Sequence, residues 1–235
     1  MPSRLDDNVK VLCASEYVQN MLSQFGYPYK SELLSVGIED YASKVDTLDR
    51  ERLQFAMIGS YEFRQGHDVL MRAIESMPSG YRQKAMFIFA GNVNDQKVYD
   101  TVLAFCNQNS NTTILQDVSR DEIIKIYKES MCVVAPSRDD SGPMAIMEGL
   151  MLSKICLCSS KTGMASVIED GISGFVFKNE DHVELSRKMI KIIDQHDQLG
   201  ELRSKGRKVY EDYFTMDKFK KNIERIVDEN ISLLR

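Results

Sequence analysis

Seven short apolar runs alternate with helix-length stretches of 3.6-residue period along this chain, and that alternation restricts the fold more than any other feature. The runs fall at residues 9–14, 54–58, 85–90, 113–115, 131–135, 155–159 and 174–177. Helical periods occupy 18–25, 67–77, 94–107, 120–129, 143–152 and 181–196. The runs are continuously apolar, which suits parallel strands covered on both faces. Strands separated by helices of this length imply βαβ units with right-handed crossovers. The expected fold is α/β: a doubly wound, Rossmann-like parallel sheet followed by two C-terminal helices. Ligands bind such a sheet at the carboxyl ends of its strands.

The pattern lapses once. Residues 40–52 are mostly polar and charged, without a clear apolar period. The first 40 residues hold one predicted strand, one helix and a Gly37-Ile38 turn, too little for a core of their own. They read as the trailing edge of another domain, or as an element added to this one. The expected division is 1–40 trailing strand and helix, 41–53 polar linker, 54–200 Rossmann-like domain and 201–235 terminal helices. Leu202, Val209 and Phe214 mark the first terminal helix; Phe219, Ile223, Ile226, Val227 and Leu233 mark the second.

A net charge of −5 leaves no basic excess to neutralise phosphates, which argues against a general nucleic-acid binder. The five cysteines are odd in number and lack framework spacing; they read as reduced thiols of a cytoplasmic protein. Cys156 and Cys158 share a face of one predicted strand, but no Cys or His nearby in sequence completes a metal site. His67, His182 and His196 have no partner at metal spacing either. No metal is therefore expected. His67 sits beside a strand–helix turn, and helix-start polarity explains it most simply. No apolar stretch approaches the roughly 20 residues that span a bilayer, and no signal peptide is visible. Membrane contact is expected to be peripheral at most, at the inner face.

Residues 134–148 carry the densest chemistry. An apolar run ends at Pro136 and Ser137, an acidic loop with Asp139 and Asp140 follows, and Pro143 opens a helical period carrying Glu148. Asp140 then lies at the carboxyl end of a strand, and Glu148 just over one turn into the next helix. Free N–H groups at that helix start form a site for anions. Two carboxylates beside an anion site fit a ligand with both hydroxyls and phosphate, such as a nucleotide sugar. The turn after 54–58 contains Gly59, which lets backbone approach a ligand, Ser60 with a hydroxyl, and Arg64, a planar cation suited to phosphate. An ordinary βα turn explains the same residues equally well. Gly91-Asn92 ends another buried strand and serves as well as a terminator. Ser119 with Glu122 forms a capping box.

Taken in order, these pieces resemble the C-terminal, donor-binding domain of GT-B glycosyltransferases, in particular the retaining family 4 group (glycosyl transferases group 1). The match rests on Ile58-Gly59-Ser60 with Gln65-Gly66-His67-Asp68, on Phe89-Ala90-Gly91-Asn92, on the stretch 135–149, and on Thr162-Gly163 with the stretch 168–176. The resemblance makes 9–37 the last strand and helix of an N-terminal domain, and Val36-Gly37-Ile38-Glu39 the linker. Most of the acceptor-binding domain would then be missing from this chain.

The resemblance implies that Glu148 binds the ribose hydroxyls of a nucleoside diphosphate and that Asp140 contacts the donor sugar. Backbone N–H groups of Ser141, Gly142 and Met144 would meet sugar and diphosphate, whereas Pro143 beside them has no N–H. Gly59, Ser60, Gln65, Gly91, Asn92 and Val118 would line the rest of the donor site. The family often has arginine where Ser60 stands, lysine where Gln65 stands and glutamate where Asp140 stands. Arg64 and Arg138 are the candidates to replace the missing cations, making Asp140 and Arg64 the expected catalytic pair. The implied activity is hexosyl or rhamnosyl transfer from a nucleoside-diphosphate sugar to a glycan or lipid-linked acceptor. No obligate cofactor is implied. The missing cations also open an alternative, a non-catalytic GT-B partner that stabilises an active transferase.

Overall fold

The computed structural model describes residues 10–27, 30–44 and 52–232. The expected strand start at Val9, most of the polar linker (45–51) and the helix marker Leu233 lie outside them. The strands are β1 (Val11–Cys13), β2 (Ser31–Leu33), β3 (Arg52–Ile58), β4 (Met86–Gly91), β5 (Thr112–Gln116), β6 (Ser130–Ala135), β7 (Ile155–Ser159) and β8 (Phe175–Phe177). The helices are α1 (Glu16–Gln24), α2 (His67–Glu75), α3 (Ser79–Arg82), α4 (Gln96–Gln108), α5 (Arg120–Glu129), α6 (Met144–Met151), α7 (His182–Gln195), α8 (Gly200–Tyr213) and α9 (Met216–Ser232).

Six strands form one sheet in the order β5-β4-β3-β6-β7-β8, and each neighbouring pair is parallel. This is the doubly wound order, with its reversal between β3 and β6. Alternate residues of each strand enter different cores. Phe55, Met57, Phe87, Phe89, Cys132, Val134, Ile155 and Leu157 pack on the face covered by α2, α4 and α7. Val133, Ala135, Cys156 and Cys158 face α6 and α8, while Ala56, Ile88 and Ala90 face α5. Full burial of side chains such as Phe55 and Phe87 contributes about 1.5–3 kcal/mol each, which is why the runs are continuously apolar.

β1 and β2 pair parallel in a separate two-stranded sheet. β2, whose sequence is Ser-Glu-Leu, was not expected, because three residues without apolar alternation leave no period to detect. α3 follows Pro78 and is likewise too short to show one. β3 begins at Arg52, inside the expected linker, since Leu53 already packs on the core. The stretch just before residue 41 is fixed to the body: Ile38 N–H donates to Phe214 O at 2.8 Å, Tyr210 Oη donates to Ile38 O at 3.1 Å, and Asp40 pairs with Arg207.

Candidate functional site

Where the strand order reverses, the loops after β3 and β6 diverge to opposite faces and leave a crevice. A cavity of about 200 Å³ fills it, lined by Gly59, Ser60, Gln65, Asp140, Pro143 and Met144 together with the ends of β3 and β6. Six of the expected site residues thus converge here. Pro143 occupies the N-cap of α6 and offers no side-chain oxygen, so the first N–H groups of α6 lack a side-chain partner and open toward the cavity.

The β3–α2 turn forms one wall. Gly66 is left-handed at φ 75, and a Cβ there would lie 2.1 Å from Pro136 O, so only glycine lets this turn close against β6. Tyr61, fully buried, sets the turn's depth through its hydroxyl, 2.9 Å from Phe89 O and 2.8 Å from Leu115 O. His67 stacks on Tyr61 with centroids 5.0 Å apart. It is 2 % exposed, and neither ring nitrogen has a hydrogen-bond partner. The ring at this helix start is packed in the core between Tyr61 and Phe89. Burial pulls its pKa down to about 4 against a weaker opposing pull from Glu62 and Asp68.

The acidic loop forms the opposite wall. Asp140 Oδ1 accepts from Gly142 N–H at 3.0 Å, and Oδ2 accepts from Gln65 Nε2 at 3.3 Å. Gln65 Oε1 in turn accepts from Ser137 Oγ at 3.2 Å. Arg64 Nη1 lies 3.4 Å from Asp140 Oδ2 and donates to Asp139 O at 2.9 Å. Arg64 is thus a half-exposed cation beside the cavity, paired with Asp140 and, from Nη2 at 2.9 Å, with Glu62. Asp140 is also tied through its backbone to the loop after β7: its N–H donates to Lys161 O at 3.1 Å, and Gly163 N–H donates to Asp140 O at 2.8 Å.

Other expected residues lie elsewhere. Arg138 turns away from the cavity. Its guanidinium grips both Asp68 oxygens at 2.8 Å, donates to Glu180 at 2.8 Å and lies over the Phe63 ring at 3.9 Å. Burial would push the Asp68 carboxyl up, but Arg138 and Arg72 outweigh it and hold that group below its usual range. Gly91 packs against the backbone, since a Cβ there would lie 2.0 Å from Gly59 O. Asn92 is exposed, and its carbonyl accepts from Tyr61 N–H at 2.8 Å. Val118 packs beside Ala56 and Ala90. Ser141 and Gly142 line a second cavity of about 50 Å³, between α6 and the Ser15 end of α1.

Glu148 is nearly buried and paired with Arg120, Nη2 to Oε1 at 2.5 Å. Arg120 lies over the Tyr41 ring at 5.0 Å. Burial, reinforced by the Glu148 charge, pushes the Tyr41 hydroxyl up to about 12. The sequence reading did not single out Arg120 or Tyr41. Arg120 follows the capping Ser119 and hides in a purely structural motif, and Tyr41 stands in a stretch without period. Tyr17, which donates to Asp139 Oδ1 at 3.0 Å across 122 positions, carries no local signal at all.

Among the described residues no group of three or more His, Cys, Asp or Glu side chains converges to hold a metal ion, and no helix is long and apolar enough to cross a membrane. Chemically, the cavity offers a hydrogen-bonded carboxylate, an adjacent guanidinium, a carboxamide and a helix start, all suited to a polyhydroxylated anion.

Comparison with known proteins gives the same fold. An uncharacterized glycosyltransferase of Methanocaldococcus jannaschii is 21 % identical over 223 residues, 94 % of this chain and 59 % of its own length. The D-inositol 3-phosphate glycosyltransferase of Mycolicibacterium smegmatis is 21 % identical over 169 residues, 70 % of this chain and 38 % of its own length. A glycosyltransferase from Rickettsia africae superposes with a TM-score of 0.81 at 17 % identity, covering 95 % of this chain and 64 % of that one. HepE of Anabaena, in complex with UDP and glucose, gives a TM-score of 0.81 at 14 % identity, covering 93 % and 63 %. This chain therefore spans less than two thirds of the length of these relatives; it has the size of a GT-B C-terminal domain, and its parallel six-stranded sheet flanked by helices matches GT-B glycosyltransferases. The family model of the glycosyl transferases group 1 matches residues 40–209, and the chain belongs to that family.

Proposed function

We propose that the crevice between β3 and β6 binds a nucleoside-diphosphate sugar, and that the chain is the donor half of a retaining, cytoplasmic glycosyltransferase moving a hexose-type sugar to a glycan or lipid-linked acceptor. The observation that carries this reading is the cavity at the strand-order reversal, where Asp140 and Gln65 meet the uncapped start of α6 and Arg64 pairs with Asp140 beside it. In this reading Asp140 takes the sugar hydroxyls and Glu148 the ribose. The backbone at 141–144 and at Gly59-Ser60 approaches the diphosphate, and Gly91, Asn92 and Val118 lie toward the base. Arg64 supplies the charge that stabilises the leaving diphosphate, an electrostatic contribution of about 3 kcal/mol in comparable sites. Arg138 holds the wall in place. The acceptor site belongs to an N-terminal domain, so the chain by itself binds nucleotide and transfers little sugar.

A thermal-shift panel with UDP, GDP, ADP and dTDP tests the binding. HepE was seen with UDP, which makes UDP the first choice. Ligand at 100-fold excess over its Kd stabilises by about 2.7 kcal/mol. No shift with any of the four at millimolar concentration removes the donor-binding reading. Where binding is seen, Glu148→Ala weakens it; unchanged affinity takes Glu148 out of the site.

Ser60 and Gln65, neutral where the resemblance expects cations, favour a second reading as a non-catalytic partner of another transferase. Sugar transfer by the full-length protein, abolished by Asp140→Ala, excludes it.

A further inference from the structure

The Glu148 carboxylate is nearly buried, yet its partner Arg120 is half-exposed at the start of α5. Two carboxylate oxygens are present and Arg120 takes Oε1. Tyr127, fully buried, packs beside it with its hydroxyl 3.4 Å from Ala145 O, and the charge of Glu148 adds to burial in pushing that hydroxyl far above its usual range. Burying a carboxylate among two tyrosines and α6 backbone is costly unless an opposite charge pairs with it. Arg120 is that charge. Arg120 is itself held by a residue distant in sequence. Tyr41, on the segment tied to α8 through Ile38 and Asp40, puts its ring under the guanidinium. The Tyr41 hydroxyl is buried and makes no hydrogen bond of good geometry; the ring face under the guanidinium makes the closer contact.

We propose that Arg120 and Tyr41 form a positioning relay for nucleotide binding: Tyr41 fixes the guanidinium, and the guanidinium holds the Glu148 carboxylate in the orientation that meets a ribose diol. The proposal rests on the reading of Glu148 as the ribose-binding acid and adds the two residues through which the linker sets its state.

The test is titration calorimetry of the chain with UDP, GDP, ADP and dTDP, using wild type, Arg120→Met, Arg120→Lys, Tyr41→Phe, Tyr41→Leu and Glu148→Gln, with melting temperatures recorded without nucleotide. Arg120→Met is expected to weaken binding about tenfold, and Arg120→Lys to recover most of the loss. Tyr41→Phe should bind like wild type and Tyr41→Leu more weakly. The Arg120→Met loss should vanish in a Glu148→Gln background, a coupling that general destabilisation would not produce. If Arg120→Met does not fold, the Lys, Phe and Leu variants carry the same comparison. Wild-type binding that is unchanged or tightened by Arg120→Met overturns the relay alone. Equal losses in the presence and absence of Glu148 also overturn it. No binding of any of the four nucleotides to wild type overturns the donor-site reading and this inference together.

Discussion

Gln65 donates from Nε2 to Asp140 at 3.3 Å and accepts at Oε1 from Ser137 at 3.2 Å. The neutral residue that stands where the resemblance expects a lysine is thus built into the acidic wall of the cavity. It holds Asp140 without neutralising it, and the charge is left to Arg64.

Gln65→Lys places a second cation beside Gly59 and the start of α6. One added charge-assisted contact to a diphosphate contributes about 1 kcal/mol net, so nucleoside-diphosphate affinity should rise about fivefold by calorimetry. Unchanged or weaker binding would put the diphosphate away from the β3–α2 turn.

His67 makes stability depend on pH. Its ordinary pKa is 6.5, and burial lowers it to about 4 in the folded protein. Between those values the unfolded chain binds a proton that the folded protein refuses. Stability is therefore full above pH 6.5 and declines as pH falls toward 4, by at most about 3 kcal/mol. Urea melts at pH 7.5 and 4.5 measure the loss. His67→Phe keeps the stack on Tyr61, removes two orphaned nitrogens and should flatten that part of the profile. An unaltered profile assigns the acid sensitivity to other groups.

Gly91→Ala tests the contact between β4 and the turn after β3. The new Cβ would lie 2.0 Å from Gly59 O and 2.6 Å from its carbonyl carbon. Backbone on both sides cannot step aside as a side chain would, so the cost is about 3 kcal/mol, read as a lower denaturant midpoint at constant slope. Gly80→Ala, where a Cβ meets nothing within 4 Å, is the control and should leave the midpoint within about 0.5 kcal/mol.

Arg138→Met separates scaffold from chemistry. Its guanidinium ties the loop after β6 to α2 and Glu180, and Asp68 and Glu180 are substantially solvent-exposed, so losing the pair destabilises by only about 1–2 kcal/mol. Nucleotide affinity of the folded variant should stay within twofold of wild type. A loss above tenfold would make Arg138 a ligand contact.

The sheet was legible because each strand of the body had to be apolar on both faces. Phe55 and Ala56, or Cys132 and Val133, serve different cores yet give one unbroken run. The acidic loop was legible because a strand, turn residues and a helix start follow each other within fifteen positions, 134–148. Side-chain direction was not. Arg138 and Arg64 looked equivalent in sequence, but Asp68 and Glu180 on other elements claim Arg138. Glu148 showed as an acid on a helix, while its partner Arg120 lies 28 positions away. His67 shows the converse: a polar letter at a helix start says nothing of the aromatic stack above it.

Asp140 exchanges backbone bonds with Lys161 and Gly163, so the loops after β6 and β7 are sewn into one piece. An insertion in either loop would pull the stitch and carry the carboxylate off Gln65. Variation in length is accordingly costly at 137–142 and 159–163, and also after β4, where Asn92 and Asp95 bond the Tyr61 backbone. A designer wishing to reshape this cleft has freedom of residue type at the acidic rim but almost none of chain length.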